Sequence, residues 1–328
     1  MQQKIFSGEG FDFEQTALEV FEFQYTHNSV YRQFTDYLKI NPKNVTSVLQ
    51  IPFLPIEFFK THRIISDNGQ PQKIFESSGT TGQLTGKHLV ADLNLYEESF
   101  QKGFVQFYGN IKDWTILALL PSYLERNSSS LIYMINDLIQ KSEKEDSGFY
   151  LYNLEELAKK ISNLSSQISP PKILLIGVTF ALLDFAEQYP MDLPGVTVME
   201  TGGMKGKREE ITRAEVHNLL KKAFNLKQVH SEYGMTELLS QAYSKGEGIF
   251  QTPPWMKILK RDIYNPLSVC IEPGRGGLNV IDLANIHSCA FIATQDVVNM
   301  LVDDHYEILG RLDNSDIRGC NLMVTSSF

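Results

Sequence analysis

The chain has 328 residues, enough for about two domains or one large domain with a subdomain, and a formal net charge of −9. That charge excludes a protein that coats nucleic acid or an anionic membrane, and leaves room for a local basic pocket. The three Cys, at 270, 289 and 320, form neither an even framework nor a Cys-x-x-Cys pair. This speaks against a secreted disulfide scaffold and a Cys-based zinc site, and for a reducing, cytoplasmic setting.

The first ten residues lack an apolar core and carry an early Glu9, unlike a signal peptide. No apolar run approaches the roughly 18 residues of a membrane span. Over 11–38, apolar residues recur at helical steps (Phe13, Ala17, Phe21; Tyr31, Phe34, Leu38), predicting a helical cap that packs its rings into a core. Two prolines make 51–55 a connector into a short helix at 56–60. A strand is expected at 73–75 and a helix at 93–107. Further strands are expected at 114–120, 172–178, 196–200 and 226–230, and helices at 131–140, 154–164, 180–188 and 208–224. This alternation predicts an α/β fold with a mostly parallel sheet covered on both faces. After Gly246 helical periodicity fades, and β-like pieces follow at 278–282, 289–294 and 297–302. We therefore divide the chain into an α/β part at 1–247, a smaller β-rich subdomain at 248–310 and a tail at 311–328.

Five segments carry residues suited to chemistry. Ser77 to Gly82 reads Ser-Ser-Gly-Thr-Thr-Gly. Its glycines let backbone approach a ligand, its successive amides can form an anion nest, and its hydroxyls add donors for phosphate oxygens. It is not a Walker A loop: Thr81 stands where that motif needs Gly, and His88 where it needs Ser or Thr. A GxGxxG dinucleotide fingerprint is also missing. By composition alone, an ordinary polar turn is an equal reading. Gly202-Gly203 follows the strand at 196–200, where α/β folds bind nucleotides, or simply turns the chain. Tyr233-Gly-Met-Thr-Glu237 combines an aromatic face, a close backbone approach at Gly234, a hydroxyl and a carboxylate that suits Mg²⁺. Asp296 ends a strand-like run and either holds a diol or is solvated. Gly310-Arg311-Leu312-Asp313 opens the tail. No HExxH pair and no GxSxG elbow occurs, which argues against a zinc hydrolase and an α/β-hydrolase. His88 and His230 flank these segments and either line a pocket or serve the structure.

Taken in order, the five segments resemble the adenylate-forming superfamily of acyl-CoA ligases. The length and the last motif look most like the acyl-protein synthetases of bacterial bioluminescence (LuxE), with phenylacetate-CoA ligases next. The resemblance spans residues 75–320. It implies the large N-terminal domain of adenylate-forming enzymes: mixed sheets covered by helices, plus a β-rich subdomain. It assigns Ser78, Gly79, Thr80, Thr81 and Gly82 to the β- and γ-phosphates of ATP, with Lys87 as a further phosphate contact. Gly202 and Gly203 would pass along the adenine and Tyr233 would stack on it. Thr236 would touch the α-phosphate, Glu237 would ligate Mg²⁺, and Asp296 would hold the ribose with Arg311 nearby. The ligases continue past the Gly-Arg hinge and carry a second catalytic Lys there. This sequence gives 17 residues after Arg311, so the expectation is that the mobile C-terminal domain is lacking.

Cys320 bears on the second half of such a reaction. In the acyl-protein synthetases a Cys near the C-terminus accepts the acyl group. A free thiol is only about 3% thiolate at pH 7, and Arg311 and Arg318 nearby would raise that share. The alternative is a small apolar filler in a β-like tail; Cys270 and Cys289 are assigned to packing. The expected function is ATP-dependent activation of a fatty or aromatic carboxylic acid, with transfer to Cys320, a partner protein or CoA. The alternatives are a CoA ligase-like enzyme working with a separate C-terminal domain, and a nucleotide-binding module without turnover.

Overall fold

The computed structural model describes residues 2–8, 10–77, 84–121, 128–203, 208 and 211–311, the side chains of Gln3 and Asn68 excepted. In chain order the elements are α1 (Gln2–Ile5), α2 (Phe13–His27), α3 (Ser29–Tyr37), β1 (Leu54–Pro55), α4 (Phe58–Thr61), β2 (Lys73–Glu76) and β3 (Lys87–Val90). There follow α5 (Leu93–Tyr108), β4 (Trp114–Leu119), α6 (Ser130–Ser142), β5 (Gly148–Tyr150), α7 (Leu154–Ser165), β6 (Lys172–Gly177), α8 (Thr179–Gln188), β7 (Val196–Glu200) and α9 (Arg213–Phe224). The last are β8 (His230–Tyr233), β9 (Ala242–Ser244), β10 (Ile249–Gln251), β11 (Met256–Arg261), β12 (Val269–Cys270), β13 (Gly274–Asp282), β14 (Phe291–Met300) and β15 (Tyr306–Arg311).

One large sheet organises them, in the order β12-β11-β13-β14-β15-β10-β9-β8-β7-β6-β4-β5, with β1 beside β14. From β5 to β8 the strands run parallel. Strand β9 turns antiparallel to β8, and pairing stays antiparallel from there to β12. The cause is visible in composition. Strand β4 is Trp-Thr-Ile-Leu-Ala-Leu, buried at every residue, and β6 is buried at all but Lys172. Such continuous apolar runs suit a parallel strand covered on both faces. The parallel topology brings the carboxyl ends of β4, β6, β7 and β8 to one edge of the sheet.

The aromatic N-terminal segment docks on the antiparallel half. Helices α2 and α3 share Asn28, whose side chain caps α3 by accepting from Val30 and Tyr31 and donates to Ser288 O. Phe291 of β14 lies among Phe21, Tyr31 and Phe53, with ring centroids 5.9–6.3 Å apart. The cap is therefore part of the core, as its spacing predicts.

Four expectations shift. The helix at 208–224 begins at Arg213, because Thr212 and Glu215 form a capping box that stops it earlier. Arg208 instead forks onto Asp184 and Glu187 of α8. The fourth parallel strand lies at His230–Tyr233 and not at 226–230. The pieces at 289–294 and 297–302 are one strand, β14, whose register shifts at Val297/Val298. Strand β3, at residues given no element in the sequence reading, pairs antiparallel with β2, Glu76 opposite Lys87. The sheet is continuous across residue 248; its direction changes at β9.

Truncating Phe291 to Ala removes a fully buried ring at the junction of cap and sheet. The expected cost is about 3–5 kcal/mol, read as a lower urea midpoint in one cooperative transition. Loss of the cap alone, with the rest still folded, would contradict a shared core.

Candidate functional site

The carboxyl edge of the parallel strands opens on a cavity of about 410 Å³, within the range of small-molecule sites. Leu120 and Pro121 enter it after β4, Val178 after β6, Thr201 to Gly203 after β7, and Gly234 to Glu237 after β8. The antiparallel half contributes Thr294, Gln295 and Asp296 from β14 and Arg311 from β15. Ser77 and Leu84, on either side of the phosphate loop, line the same cavity. Thus all five sequence segments reach this cavity, the first through its leading residue Ser77 and the last through Arg311. The loop residues Ser78, Gly79, Thr80, Thr81 and Gly82 lie outside the described residues, as do Tyr123, Met204, Asp313 and Cys320.

The ends of the phosphate loop are clasped. Ser77 N donates to Gly86 O at 2.9 Å, and Gly86 N donates to Ser77 Oγ at 2.7 Å. The absence of a side chain at Gly86 matters to the site: a Cβ there would stand 2.3 Å from Glu237 Oε1. The missing side chain leaves that carboxylate room at the loop's base. Glu237 is 6% exposed, and burial pushes its pKa up to about 7 against its own backbone N–H and the charges of Lys60 and Arg311. Among the described residues no other side chain hydrogen-bonds it, and no group of three or more His, Cys, Asp or Glu gathers to hold a metal. One carboxylate beside a phosphate loop fits Mg²⁺, whose shell substrate oxygens and water complete.

Gly202 and Gly203 both have positive φ, 72° and 90°, which a side chain would strain. The end of β7 fixes them: Gly202 N donates to Glu200 Oε2 at 2.6 Å, and their carbonyls accept from Thr179 N and Phe180 N at the start of α8. Burial opposes ionisation of Glu200, yet bonds and charge from His217, Arg213 and Ser231 hold its pKa at about 2.

Tyr233 stands behind the cavity wall. Its hydroxyl donates to Asp296 Oδ2 at 2.6 Å, and its ring meets Phe250 edge-on. Arg311 pairs with Asp296 across β14 and β15, its Nε 3.9 Å from Oδ1. His88 is fully buried, between Thr236 O at 2.8 Å and the Asn285 side chain at 2.9 Å. Burial lowers its pKa to about 4. It braces the loop after β8 from beneath, while His230 meets Tyr108 at 3.2 Å. Lys87 is exposed and pairs with Glu76 at 3.5 Å, outside the cavity lining. Among the described residues the cations that line the cavity are Arg311 and Lys60, from α4; the sequence reading missed Lys60, since a single Lys on a four-residue helix carries no signal. Glu232 and Gln241 of the lining were missed too. Cys289 is buried, and burial pushes its thiol up to about 12.

Glu232 is 6% exposed, and its pKa is raised to about 8, first by burial and then by the Glu200 charge. Around it stand Tyr96 and Tyr108 of α5 and Tyr243 of β9.

Known proteins place this architecture. An open 2-hydroxyisobutyryl-CoA ligase, in complex with 2-HIB-AMP and CoA, superposes with a TM-score of 0.66 at 12% identity, covering 92% of this chain and 74% of that one. ATP-bound MatB from Rhodopseudomonas palustris gives 0.55 at 14%, covering 75% and 49%. A malonyl-CoA ligase product complex with methylmalonyl-CoA and AMP gives 0.52 at 18%, covering 75% and 54%. The chain spans about half the length of MatB. The fold is that of the large domain of adenylate-forming enzymes. Residues 10–93 match the family model of the acyl-protein synthetase LuxE, so the specific likeness lies in the aromatic cap and the hairpin bearing the phosphate loop. No curated protein sequence matches the chain.

Two outcomes follow from this geometry. Gly86→Ala crowds the free end of the Glu237 side chain, so stability changes little, while the MgATP affinity proposed below falls about tenfold or more, measured by calorimetry. Glu232 binds its proton more tightly folded than unfolded. Wild-type stability therefore falls as pH rises from about 4.5 toward 8, and Glu232→Gln removes that loss. Thermal melts of the two proteins should converge near pH 4 and separate at pH 8, with the variant higher.

Proposed function

We propose that this protein uses ATP to activate a carboxylic acid, fatty or aromatic, as an acyl-adenylate and passes the acyl group to a thiol. The observation that carries the reading is the convergence of a phosphate-loop neck, Gly202-Gly203, the Thr236–Glu237 turn, Asp296 and Arg311 on one cavity. The fold of adenylate-forming ligases supports it.

In the first step an oxygen of the substrate carboxylate attacks the α-phosphorus of ATP. An O–P bond forms, the bridging P–O bond breaks, and pyrophosphate leaves with the electron pair. The protein's task is positioning and charge balance. Amides and hydroxyls of Ser78, Gly79, Thr80, Thr81 and Gly82 would embrace the outer phosphates, and Lys60 would add positive charge. Gly202 and Gly203 present backbone to the base, beside Tyr233, and Gly234 lets the loop approach. Thr236 would meet the α-phosphate. Asp296, its other oxygen held by Tyr233, would accept the ribose hydroxyls beside Arg311. Mg²⁺ held by Glu237 would supply charge neutralisation at the phosphates. In the second step a thiolate attacks the acyl carbon, a thioester forms, and AMP leaves.

The acceptor thiol is Cys320 or one on a partner protein. A second reading, CoA as acceptor, draws on the structural neighbours, which are CoA ligases. The chemistry suits the reducing cytoplasm, where thiols persist. Among the described residues no helix is long and apolar enough to cross a membrane.

With MgATP and a panel of carboxylic acids, wild-type protein should release pyrophosphate in an acid-dependent way, and Glu237→Gln should slow release about a hundredfold. Cys320→Ala should keep adenylation and lose the protein-bound acyl label. Undiminished label on the variant would move the acceptor elsewhere, and acyl-CoA formation would select the second reading. Absence of release with every acid would overturn activation itself.

A further inference from the structure

Strand β8 alternates its side chains between two sides of the sheet. Ser231 and Tyr233 face one side, toward His217 and Asp296. His230 and Glu232 face the other, toward Tyr108 and Tyr96 of α5. Glu232 thereby enters the cavity from behind the loop, where Tyr96, Leu131, Ile132 and Met134 form its apolar wall. Among the described residues no side chain hydrogen-bonds its carboxyl group, although the residue is 94% buried by its 6% exposure. Gln241 lies beside it, also 6% exposed, and its Oε1 is buried with no partner. Both side chains crowd the same glycine: a Cβ on Gly234 would meet Glu232 Oε1 at 2.6 Å and Gln241 Cγ at 3.4 Å.

Gln241 Oε1, an unpartnered acceptor, and the Glu232 carboxyl group beside it are costly to bury in an apolar recess, and that cost is recovered when a donor arrives. A plain hydrocarbon chain filling the recess would strand both. We propose that the acid taken by this cavity carries a hydrogen-bond donor, a hydroxyl or an amino group, on its acyl part, and that Glu232 and Gln241 recognise it. The inference rests on the activating role proposed above and narrows its substrate class from unsubstituted fatty or aromatic acids to hydroxy- or amino-acids. A site built around such acceptors discriminates strongly against the analogue that lacks the donor.

The test is acid-dependent ATP–pyrophosphate exchange with six-carbon acids, either unsubstituted or bearing a hydroxyl or an amine at successive carbons. At least one donor-bearing acid should exceed the parent in kcat/KM by about tenfold or more, and Glu232→Leu should reverse that order. Glu232→Gln separates the two donors: it keeps a hydroxy-acid, which an amide can still accept from, and loses an amino-acid, whose ammonium would draw the proton off Glu232 and pair with the carboxylate so formed. Gln241→Met serves as the second variant should Glu232→Leu fail to fold. Equal or better exchange with the unsubstituted acid, or a ratio unmoved by these variants, overturns the proposal. Silence with every acid would defeat the activating role instead. The same acids would then be read by thermal shift, where donor-bearing acids should stabilise wild type and not Glu232→Leu; equal shifts for both proteins overturn the recognition.

Discussion

The site hangs on one buried carboxylate. Glu200 ends β7 at 2% exposure, where an unpaired charge would cost several kcal/mol. Among the groups that offset that cost are Arg213 Nε at 2.9 Å, Gly202 N at 2.6 Å, Thr179 Oγ1 at 3.2 Å and His217 Nε2 at 3.7 Å. These partners come from three different places, the strand's own turn, the start of α8 and the helix α9. Arg213 carries the tie further by donating to Ile308 O of β15 at 2.6 Å. Through this one group the glycine turn is fixed, both covering helices are registered, and the antiparallel half is held against the parallel half.

The two halves then divide the work. The parallel strands supply turns whose value lies in exposed backbone, at Gly202, Gly203 and Gly234. The antiparallel strands supply side chains, Asp296 and Arg311, presented on paired backbone. That pairing has its own support. Arg261 is 8% exposed and donates to Leu278 O, Asn279 Oδ1 and Thr294 O, bridging β13 and β14 at their register shift. Gly277 makes room for it, since a Cβ there would stand 2.6 Å from the Arg261 Cζ. Asp296, two residues beyond Thr294, inherits its position from this clasp and from the Tyr233 hydroxyl.

The sequence exposes the parts of this design that repeat or that violate expectation. Strand β4 and strand β6 are long apolar runs, and the helix at 154–164 is strongly amphipathic, so each is legible from period alone. The Ser-Thr-Gly loop and the Tyr-Gly-Met-Thr-Glu turn stand out through their order along the chain, since each alone matches an ordinary turn equally well. Strand β8 escapes because it reads His-Ser-Glu-Tyr, a polar run that becomes buried only by joining the sheet. Its neighbour at 226–230, Leu-Lys-Gln-Val-His, carries two aliphatic residues and draws the assignment upstream. Glu200, Glu232 and Lys60 escape for a related reason: in a sequence a buried charge looks the same as a solvated one. Lys87 shows the converse error, since nearness along the chain to a phosphate loop placed it closer than the hairpin does.

Strand β15 ends the described fold at Arg311, a residue of the cavity rim. Nine positions later comes Cys320. Nine residues span at most about 30 Å, so the thiol is confined to a small sphere around the cavity mouth whatever path the chain takes. Short tethers of this kind correspond to local concentrations in the millimolar range. A diffusing thiol competing for the same acyl group would have to reach that level, or bind the rim itself, to intercept it. Under the proposed transfer to a thiol, the choice of acceptor becomes a contest of concentrations whose terms are set by the nine-residue spacing of Arg311 and Cys320.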